Sequence, residues 1–154
     1  MQLADFLDCD AIKTALPSGN KRSLMKQLAD ISAQRLSVES AAVLASLNER
    51  EQLGSTGFGQ GVAIPHAKIE GLTQIYGLFA RLGEPVDYKA IDGRPVDLVF
   101  LLLSPPDAGA EHLKALAAIS RVTRDAATLE RLRGARSRDA LAAVLMGADE
   151  RDAA

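Results

Sequence analysis

Residues 95–104 read PVDLVFLLLS and carry the strongest strand pattern in the chain. A half-exposed strand alternates apolar and polar residues, whereas the apolar run in this stretch is continuous. The run therefore predicts a central strand of a sheet that is covered on both faces. Pro105 and Pro106 end the strand, because a proline cannot donate a hydrogen bond to a neighbouring strand.

Four shorter stretches upstream are predicted to be extended. They are residues 55–58, 62–65, 75–82 and 86–88. The glycine and proline of residues 83–85 separate the last two stretches, and Asp92-Gly93 marks a turn before the central strand. Ile64 is biased toward an extended backbone because it precedes Pro65.

Apolar residues spaced by three or four positions predict helices on both sides of these strands. The predicted helices cover residues 21–36, about 37–53, 110–124, 128–133 and 137–146. Ser18 or Asn20 is a candidate cap of the first helix, and Ser37 is the predicted cap of the second. Two helices, then strands, then helices predict the α/β class, with one layered domain whose mixed β-sheet is sandwiched between helices.

The composition suits a single compact domain over residues 1–154. Hydrophobic residues make up 47% and charged residues 25% of the chain, which are ordinary shares for a globular protein. The net charge of −2 gives no general attraction to nucleic acid or to an anionic membrane. One cysteine, Cys9, excludes an internal disulfide framework, and neither a signal peptide nor a membrane span is found. We therefore expect a soluble, cytoplasmic protein.

Residues 54–70, GSTGFGQGVAIPHAKIE, form the candidate functional stretch, which joins a glycine-rich loop to one of the 2 histidines. That histidine, His66, is either a hydrogen-bonded structural residue or a reactive one. Arg50 falls in the last turn of the second predicted helix, where it either complements the helix dipole or serves the site. His112 begins the inward-facing stripe of the helix predicted over residues 110–124.

The glycine spacing excludes the common nucleotide-binding loops. A phosphate-binding loop needs a lysine where Gln60 stands, and a dinucleotide fingerprint needs a glycine where Val62 or Ile64 stands. Two distant histidines match no zinc spacing, and no G-x-S-x-G serine-hydrolase elbow is present. The glycines are better explained by positive φ angles and by close approach of a partner or a phosphoryl group to backbone N–H donors.

Six arginines cluster late in the chain. They are Arg121, Arg124, Arg131, Arg133, Arg136 and Arg138. Acidic residues are interleaved with them and no stacking aromatic residue accompanies them, which argues against a nucleic-acid site. Solvated helix faces are the first interpretation of this cluster, and a protein-contact surface is the second.

Histidine chemistry remains as the candidate activity. A neutral imidazole is a good nucleophile near pH 7, and toward phosphorus it can accept and return a phosphoryl group. Such a site needs donors or cations to hold the charge of the group. The chain can supply Arg50, the hydroxyl of Thr56, the N–H groups of residues 57–61, and His112 at a helix N-terminus.

Residues 48–72, NEREQLGSTGFGQGVAIPHAKIEGL, resemble the active-site signature of the enzyme IIA components of the bacterial phosphotransferase system, in the mannitol/fructose/nitrogen-regulatory branch. The matching parts are Arg50-Glu51, Ser55-Thr56-Gly57 and Ala63-Ile64-Pro65-His66. The resemblance extends over roughly residues 3–146 and includes Glu111-His112-Leu113. The family fold, a mixed sheet between helices, agrees with the pattern of elements predicted above.

The resemblance implies a role for each candidate residue. His66 would accept the phosphoryl group as a tele-phosphohistidine, from an HPr-like phosphocarrier protein. His112 would stabilise the phosphorylated imidazole, and Arg50 would help to hold its charge. Four loop residues would complete the phosphoryl pocket: Thr56, Gly57, Gly59 and Gly61. No metal or organic cofactor is implied.

The N-terminal half, LADFLDCDAIKTAL and then SLMKQLADISAQ, is most similar to the nitrogen-regulatory members of the family. This similarity implies a transferase-type phosphocarrier that signals its phosphorylation state to proteins such as transporters or sensor kinases. No nucleic acid and no stable membrane association are implied. Two alternatives remain: a fructose- or mannitol-type enzyme IIA that passes the phosphoryl group to an enzyme IIB, and a binding module in which phosphorylation is unused.

Overall fold

The computed structural model describes residues 1–153, with side chains described as far as residue 148. Five helices are present in this part of the chain: α1 (Lys21–Leu36), α2 (Ser40–Gln52), α3 (Ala110–Thr123), α4 (Ala126–Gly134) and α5 (Arg138–Ala153). Six strands are present: β1 (Lys13–Leu16), β2 (Gly57–Gly59), β3 (Val62–Ala63), β4 (His66–Lys68), β5 (Tyr76–Val86) and β6 (Val96–Ser104). Two short 3-10 turns, Leu3–Asp5 and Cys9–Ala11, precede β1.

The six strands form one mixed sheet in the order β1-β5-β6-β3-β2. β5 and β6 are antiparallel, β1 is parallel to β5, and β3 is parallel to β6 and antiparallel to β2. β4 also pairs with β6 in parallel, beyond the end of β3. The apolar run of residues 95–104 therefore contains the central strand, as predicted.

Side chains of β6 point alternately into two cores, one on each face of the sheet. On one face, Leu101 and Leu103 pack in the same core as Leu28 of α1 and Leu47 of α2. On the other face, three residues of β6 pack in a core that α3, α4 and α5 share: Leu98, Phe100 and Leu102. Because both faces are covered, every residue of β6 except Asp97 is buried, and seven of the nine are apolar. The predicted α/β class, with a sheet between helices, is confirmed.

Two strands were not predicted, and one predicted break is wrong. β1 and β4 have only four and three residues, too few to show a strand period. Residues 83–85 do not end a strand, because β5 runs through them to Val86 with an irregular register beside β6. These differences arise where pairing with a neighbouring strand, rather than local sequence, decides the backbone.

The helix caps differ in part from the prediction. Asn20 caps α1, and its side chain accepts a hydrogen bond of 2.8 Å from the Ser23 amide. Ser37 does not begin α2 but ends α1, with a left-handed backbone at φ 57°. α2 starts three residues later, at Ser40. Among the described residues, no helix combines the length and the apolar composition needed to cross a bilayer.

Candidate active site

Three elements meet near one end of the sheet and bring Arg50, His66 and His112 together. β4 lies alongside β6 with His66 opposite Leu102, so His66 sits near the carboxyl end of the central strand. Arg50 lies in the last turn of α2, and His112 lies in the first turn of α3. All three side chains line one cavity of about 440 Å³. Residues far apart in sequence thus form one site.

The two ring nitrogens of His66 have different partners. Nδ1 lies 2.8 Å from the carbonyl oxygen of Ile64, and since a carbonyl can only accept, Nδ1 carries the proton. Nε2 therefore presents a lone pair. Burial lowers the pKa of His66, and it outweighs the hydrogen bond to the Ile64 carbonyl, which raises the pKa. The charge of Arg50 lowers the pKa further, and the charge of Glu51 raises it slightly. The ring is thus neutral, and hence nucleophilic, at pH 7.

Arg50 contacts His66 at Nε2, the ring nitrogen that carries the lone pair. Its Nε donates to His66 Nε2 at 3.2 Å, and its Nη1 donates to the carbonyl oxygen of Gly54 at 2.8 Å. Across the described side chains, no carboxylate forms an ion pair with Arg50. The guanidinium charge is therefore not neutralised and is available to an anion in the cavity.

His112 faces His66 across the cavity. The two ring centroids are 5.5 Å apart with an interplanar angle of 52°. Nδ1 of His112 lies 2.6 Å from the hydroxyl oxygen of Ser104, the last residue of β6. Burial lowers the pKa of His112, and the charges of His66 and Lys68 lower it further. His112, like His66, is therefore neutral at pH 7.

Lys68 is a further cation on the cavity. It follows His66 by two residues in β4, so both side chains project from the same side of the strand. Its side chain is exposed and forms no ion pair with any described residue. Of the described residues that line the cavity, Glu49 is the one acid. Two cations against one carboxylate make the cavity favourable for a negatively charged group.

The four loop residues that were predicted to complete the phosphoryl pocket do not line this cavity. Thr56, Gly57, Gly59 and Gly61 belong to the described chain, and none of them lines the cavity. Gly57 and Gly59 pair with β3, and the carbonyl of Gly61 accepts from two amides at the start of β6. Their backbone groups also bond to nearby side chains: the Thr56 amide donates to Glu51, and the Gly57 amide donates to the Ser55 hydroxyl. A role for these four residues around the phosphoryl group stays a prediction. Gly61, at φ +81°, serves the turn between β2 and β3.

Thr56 belongs to a buried network around Glu51. The carboxylate of Glu51 accepts from the Thr56 hydroxyl, from the Thr56 amide at 3.2 Å, from the Tyr88 hydroxyl at 3.1 Å and from Lys21 Nζ at 2.7 Å. Burial alone would raise the pKa of Glu51, but these hydrogen bonds outweigh burial and lower it. The network fixes the end of α2, and with it Arg50, against the glycine loop.

The late arginine cluster is separate from the cavity. Arg121 and Arg138 donate to the backbone carbonyls of Met1 and Asp10, and Arg133 forms an ion pair with Asp97 near the start of β6. Bonds of this kind hold the last helices to the body of the domain. These three arginines thus make contacts within the chain, which neither of the two interpretations of the cluster included.

Similarity to known proteins covers nearly the whole chain. Residues 5–147 match the family described as phosphoenolpyruvate-dependent sugar phosphotransferase system, EIIA 2. The chain belongs to this enzyme IIA family. A nitrogen regulatory protein of Bradyrhizobium diazoefficiens is 46% identical over 145 residues, which cover 94% of this chain and 95% of the relative.

Two further relatives of this IIA chain represent two branches of the family. The crystal structure of the nitrogen regulatory protein IIA-Ntr from Neisseria meningitidis matches with a TM-score of 0.88 and 36% identity, over 93% of this chain and 98% of that chain. The fructose-specific EIIA component of Haloferax volcanii is 35% identical over 130 residues, 84% of each chain. The nitrogen regulatory protein of Bradyrhizobium diazoefficiens, at 46% identity, is thus more similar in sequence to this chain than the fructose-specific component, at 35%.

Two polar residues of the IIA site were not singled out from the sequence. Lys68 has a usable signal, the two-residue spacing from His66, but β4 is too short to be predicted as a strand. Ser104 has no such signal, because its contact with His112 depends on how α3 packs against the sheet. Tertiary packing, not local pattern, brings both residues to the cavity.

Proposed function

We propose that this enzyme IIA chain accepts a phosphoryl group on Nε2 of His66 and acts as a phosphocarrier of the nitrogen-regulatory type. The observation that carries the proposal is the arrangement of His66, whose Nδ1 is held by the Ile64 carbonyl while Nε2 faces Arg50 at 3.2 Å. A neutral imidazole with one fixed tautomer and an adjacent cation is suited to attack phosphorus.

The proposed step moves one phosphoryl group between two histidines. Nε2 of His66 attacks phosphorus on the phosphohistidine of an HPr-like donor, the new N–P bond forms, and the N–P bond of the donor breaks. The donor imidazole regains the lone pair. The proton on Nδ1 of His66 stays in its hydrogen bond to the Ile64 carbonyl, so the exchange releases no net proton. No metal or organic cofactor takes part in this proposal.

Arg50 and Lys68 hold the charge of the transferred group in this proposal. A phosphoryl group carries close to two negative charges near pH 7, and Arg50 and Lys68 line the cavity without carboxylate partners. Arg50 donates to the same lone pair that attacks, so its guanidinium moves from Nε2 to the phosphoryl oxygens as phosphorus arrives. His112 supplies a neutral polar group from the opposite wall.

The regulatory role rests on relatives. The Bradyrhizobium and Neisseria relatives are named nitrogen regulatory proteins. We infer that the phosphorylation state of His66 is a signal read by partner proteins, for which transporters and sensor kinases are the proposed classes. We place the reaction in the cytoplasm, in agreement with a single free cysteine. We treat residues 1–154 as one domain with a core of about 3–146, which the family match over residues 5–147 supports.

Labelling with a phosphorylated HPr-type donor tests this proposal. The wild-type chain should take up one acid-labile, alkali-stable phosphoryl group, and His66→Ala should take up none. His112→Ala should reduce transfer without abolishing it, since His112 is not the acceptor. Full labelling of His66→Ala would overturn the assignment of the acceptor.

Sugar transport is the second candidate, favoured by the fructose-specific relative with 35% identity. In that case the phosphoryl group would move from His66 to an enzyme IIB. Incubation of the phosphorylated chain with a fructose-type IIB domain separates the two candidates, because rapid transfer favours transport and slow transfer favours regulation. A partner pull-down that ignores the state of His66 would instead support a binding module without phosphoryl transfer.

A further inference from the structure

Ser104 is the one described side chain that hydrogen-bonds to His112. The hydroxyl oxygen lies 2.6 Å from Nδ1, the serine is fully buried, and His112 is 8% exposed. Either atom of this pair can be the donor, because a hydroxyl and a neutral imidazole nitrogen each donate or accept. The direction of the bond decides which nitrogen of His112 carries its proton.

Burial of Ser104 decides that direction. If Nδ1–H donated to the serine, the hydroxyl proton would need a second acceptor, and no other side-chain or backbone acceptor contacts it in the described chain. A buried donor without an acceptor is strongly unfavourable. If the hydroxyl donates to Nδ1 instead, both groups are satisfied. The serine therefore donates, and the proton of neutral His112 resides on Nε2.

Nε2 of His112 opens onto the cavity. Among the described residues, no side-chain nitrogen or oxygen that is fully buried lacks a hydrogen-bond partner. Nε2 of His112 has no such partner, so it is not fully buried. It must therefore be reached by solvent, and the solvent-filled space next to His112 is the cavity that it lines together with His66. The two histidines thus present opposite groups to the same space: a lone pair on His66 and an N–H on His112.

We propose that Ser104 is a positioning residue that fixes His112 in the Nε2–H tautomer, so that His112 donates a hydrogen bond to the phosphoryl group on His66. This proposal rests on the phosphocarrier function proposed above. The opposite tautomer would aim a lone pair at a group of two negative charges and would repel it. Ser104 touches neither the phosphoryl group nor His66, and acts only through the ring of His112.

Nitrogen-15 spectra of the unphosphorylated chain test the tautomer directly, at about pH 8, where imidazoles of lowered pKa are neutral. The chain has 2 histidines, so two ring spin systems are expected. In the wild type, His66 should carry its proton on Nδ1 and His112 on Nε2. In Ser104→Ala, His112 should become a mixture of both tautomers while His66 is unchanged. A wild-type His112 with its proton on Nδ1, or an unaltered His112 tautomer in Ser104→Ala, would overturn the proposal.

Transfer kinetics provide the second measurement. Ser104→Ala should lower the rate of phosphoryl acceptance roughly tenfold, the low end for loss of one hydrogen bond to a charged group, and Ser104→Thr should restore both the tautomer and the rate. Ser32→Ala is the matched control, because Ser32 is also fully buried but bonds to backbone carbonyls within α1. A Ser104→Ala rate equal to that of Ser32→Ala would contradict the role in transfer. If the wild type accepts no phosphoryl group, the proposed function is wrong. The tautomer of His112 is decided separately, by the nitrogen-15 spectra of the unphosphorylated chain.

Discussion

Arg50 and an incoming phosphorus atom need the same lone pair of His66. In the unphosphorylated chain Arg50 Nε donates to His66 Nε2 at 3.2 Å, and Nη1 is anchored 2.8 Å from the Gly54 carbonyl oxygen. Burial is the main reason that the ring is neutral, and the charge of Arg50 adds to it by disfavouring protonation at Nε2. It also places a cation where phosphoryl oxygens arrive, so one residue prepares the nucleophile and later holds the product.

Replacement of Arg50 separates its geometry from its charge. Arg50→Lys keeps one positive charge but lacks the rigid planar fork with which a guanidinium binds two phosphoryl oxygens, whereas Arg50→Gln loses the charge as well. Since one charge-assisted hydrogen bond contributes about 1.5–3 kcal/mol, we expect acceptance to slow roughly tenfold in Arg50→Lys and up to about a hundredfold in Arg50→Gln. Rapid-quench labelling measures both rates, and wild-type rates in Arg50→Gln would remove Arg50 from the mechanism.

Lys68 is expected to act through its charge. Lys68→Gln should slow acceptance about three- to tenfold, with a loss that shrinks at high salt because an exposed charge is screened. Lys26→Gln is the matched control, since Lys26 lies on α1 and is paired with Asp30. Rapid-quench labelling at several salt concentrations measures the rate of phosphoryl acceptance of each variant. Equal rates for the two lysine variants at low salt would show that Lys68 has no part in transfer.

Titration of the two imidazoles tests the electrostatics of the site. Burial lowers the pKa of His66 and of His112, so both rings should titrate below the ordinary histidine value of about 6.5. The unfolded chain then binds protons more readily than the folded chain. This stability contribution is complete above about pH 6.5 and is lost as the pH falls through the folded pKa values. NMR titration gives both midpoints, and a midpoint above 6.5 at either ring would contradict the account.

Among the structural elements, α2 depends on Glu51 for its attachment to the glycine loop. Glu51→Gln leaves a hydrogen bond donor against Thr56 or Tyr88 and removes the partner of Lys21. We expect it to lower the free energy of unfolding by about 1–3 kcal/mol. Glu49 is exposed and lies two residues away on the same helix, so Glu49→Gln should change the free energy of unfolding by less than about 0.5 kcal/mol. Urea denaturation compares them, and equal stabilities would show that the network does not stabilise the loop.

Elements with a long unbroken pattern were predictable from the sequence, whereas two of the short strands were not. α1 and β6 have enough residues to display a helical period and a buried apolar run, and both were placed correctly. β1 and β4 are defined by pairing with β5 and β6, which no local pattern encodes. Ser37 was misassigned because a serine before an apolar segment is a good N-cap, yet here its left-handed backbone closes the preceding helix.

At the scale of the whole molecule, the sheet separates two cores that can be tested independently of the site. Phe100 lies in the core beneath α3, α4 and α5, with its ring centroid 4.9 Å from that of Phe79. Phe100→Ala should lower the free energy of unfolding by about 3–5 kcal/mol, because it leaves a cavity. Phe58→Ala, at a ring that is 53% exposed, should cost far less. Urea curves measure both, and a small loss for Phe100→Ala would contradict a close-packed second core.

The same architecture explains which residues of the site could be predicted from the sequence. Arg50, His66 and His112 were predicted from a signature and from helix positions, and the fold brings them to one cavity because α2, β4 and α3 converge there. The glycines were assigned to the pocket as backbone N–H donors and through the glycine loop of the family signature. In the structure they lie in the hairpin of β2 and β3 and do not line the cavity, which only the tertiary structure reveals. Lys68 and Ser104 enter the site through pairing and packing alone.

The most direct test of the central claim is to identify the phosphorylated atom. Long-range proton–nitrogen spectra of the nitrogen-15-labelled chain should be recorded after phosphorylation by an HPr-type donor. With 2 histidines in the sequence, the phosphoryl group can be assigned to one of four ring nitrogens. We predict phosphorylation of His66 at Nε2, with its Nδ1 still protonated against the Ile64 carbonyl. A phosphoryl group on His112 or on Nδ1 of His66, or a chain that stays unphosphorylated, would contradict the account.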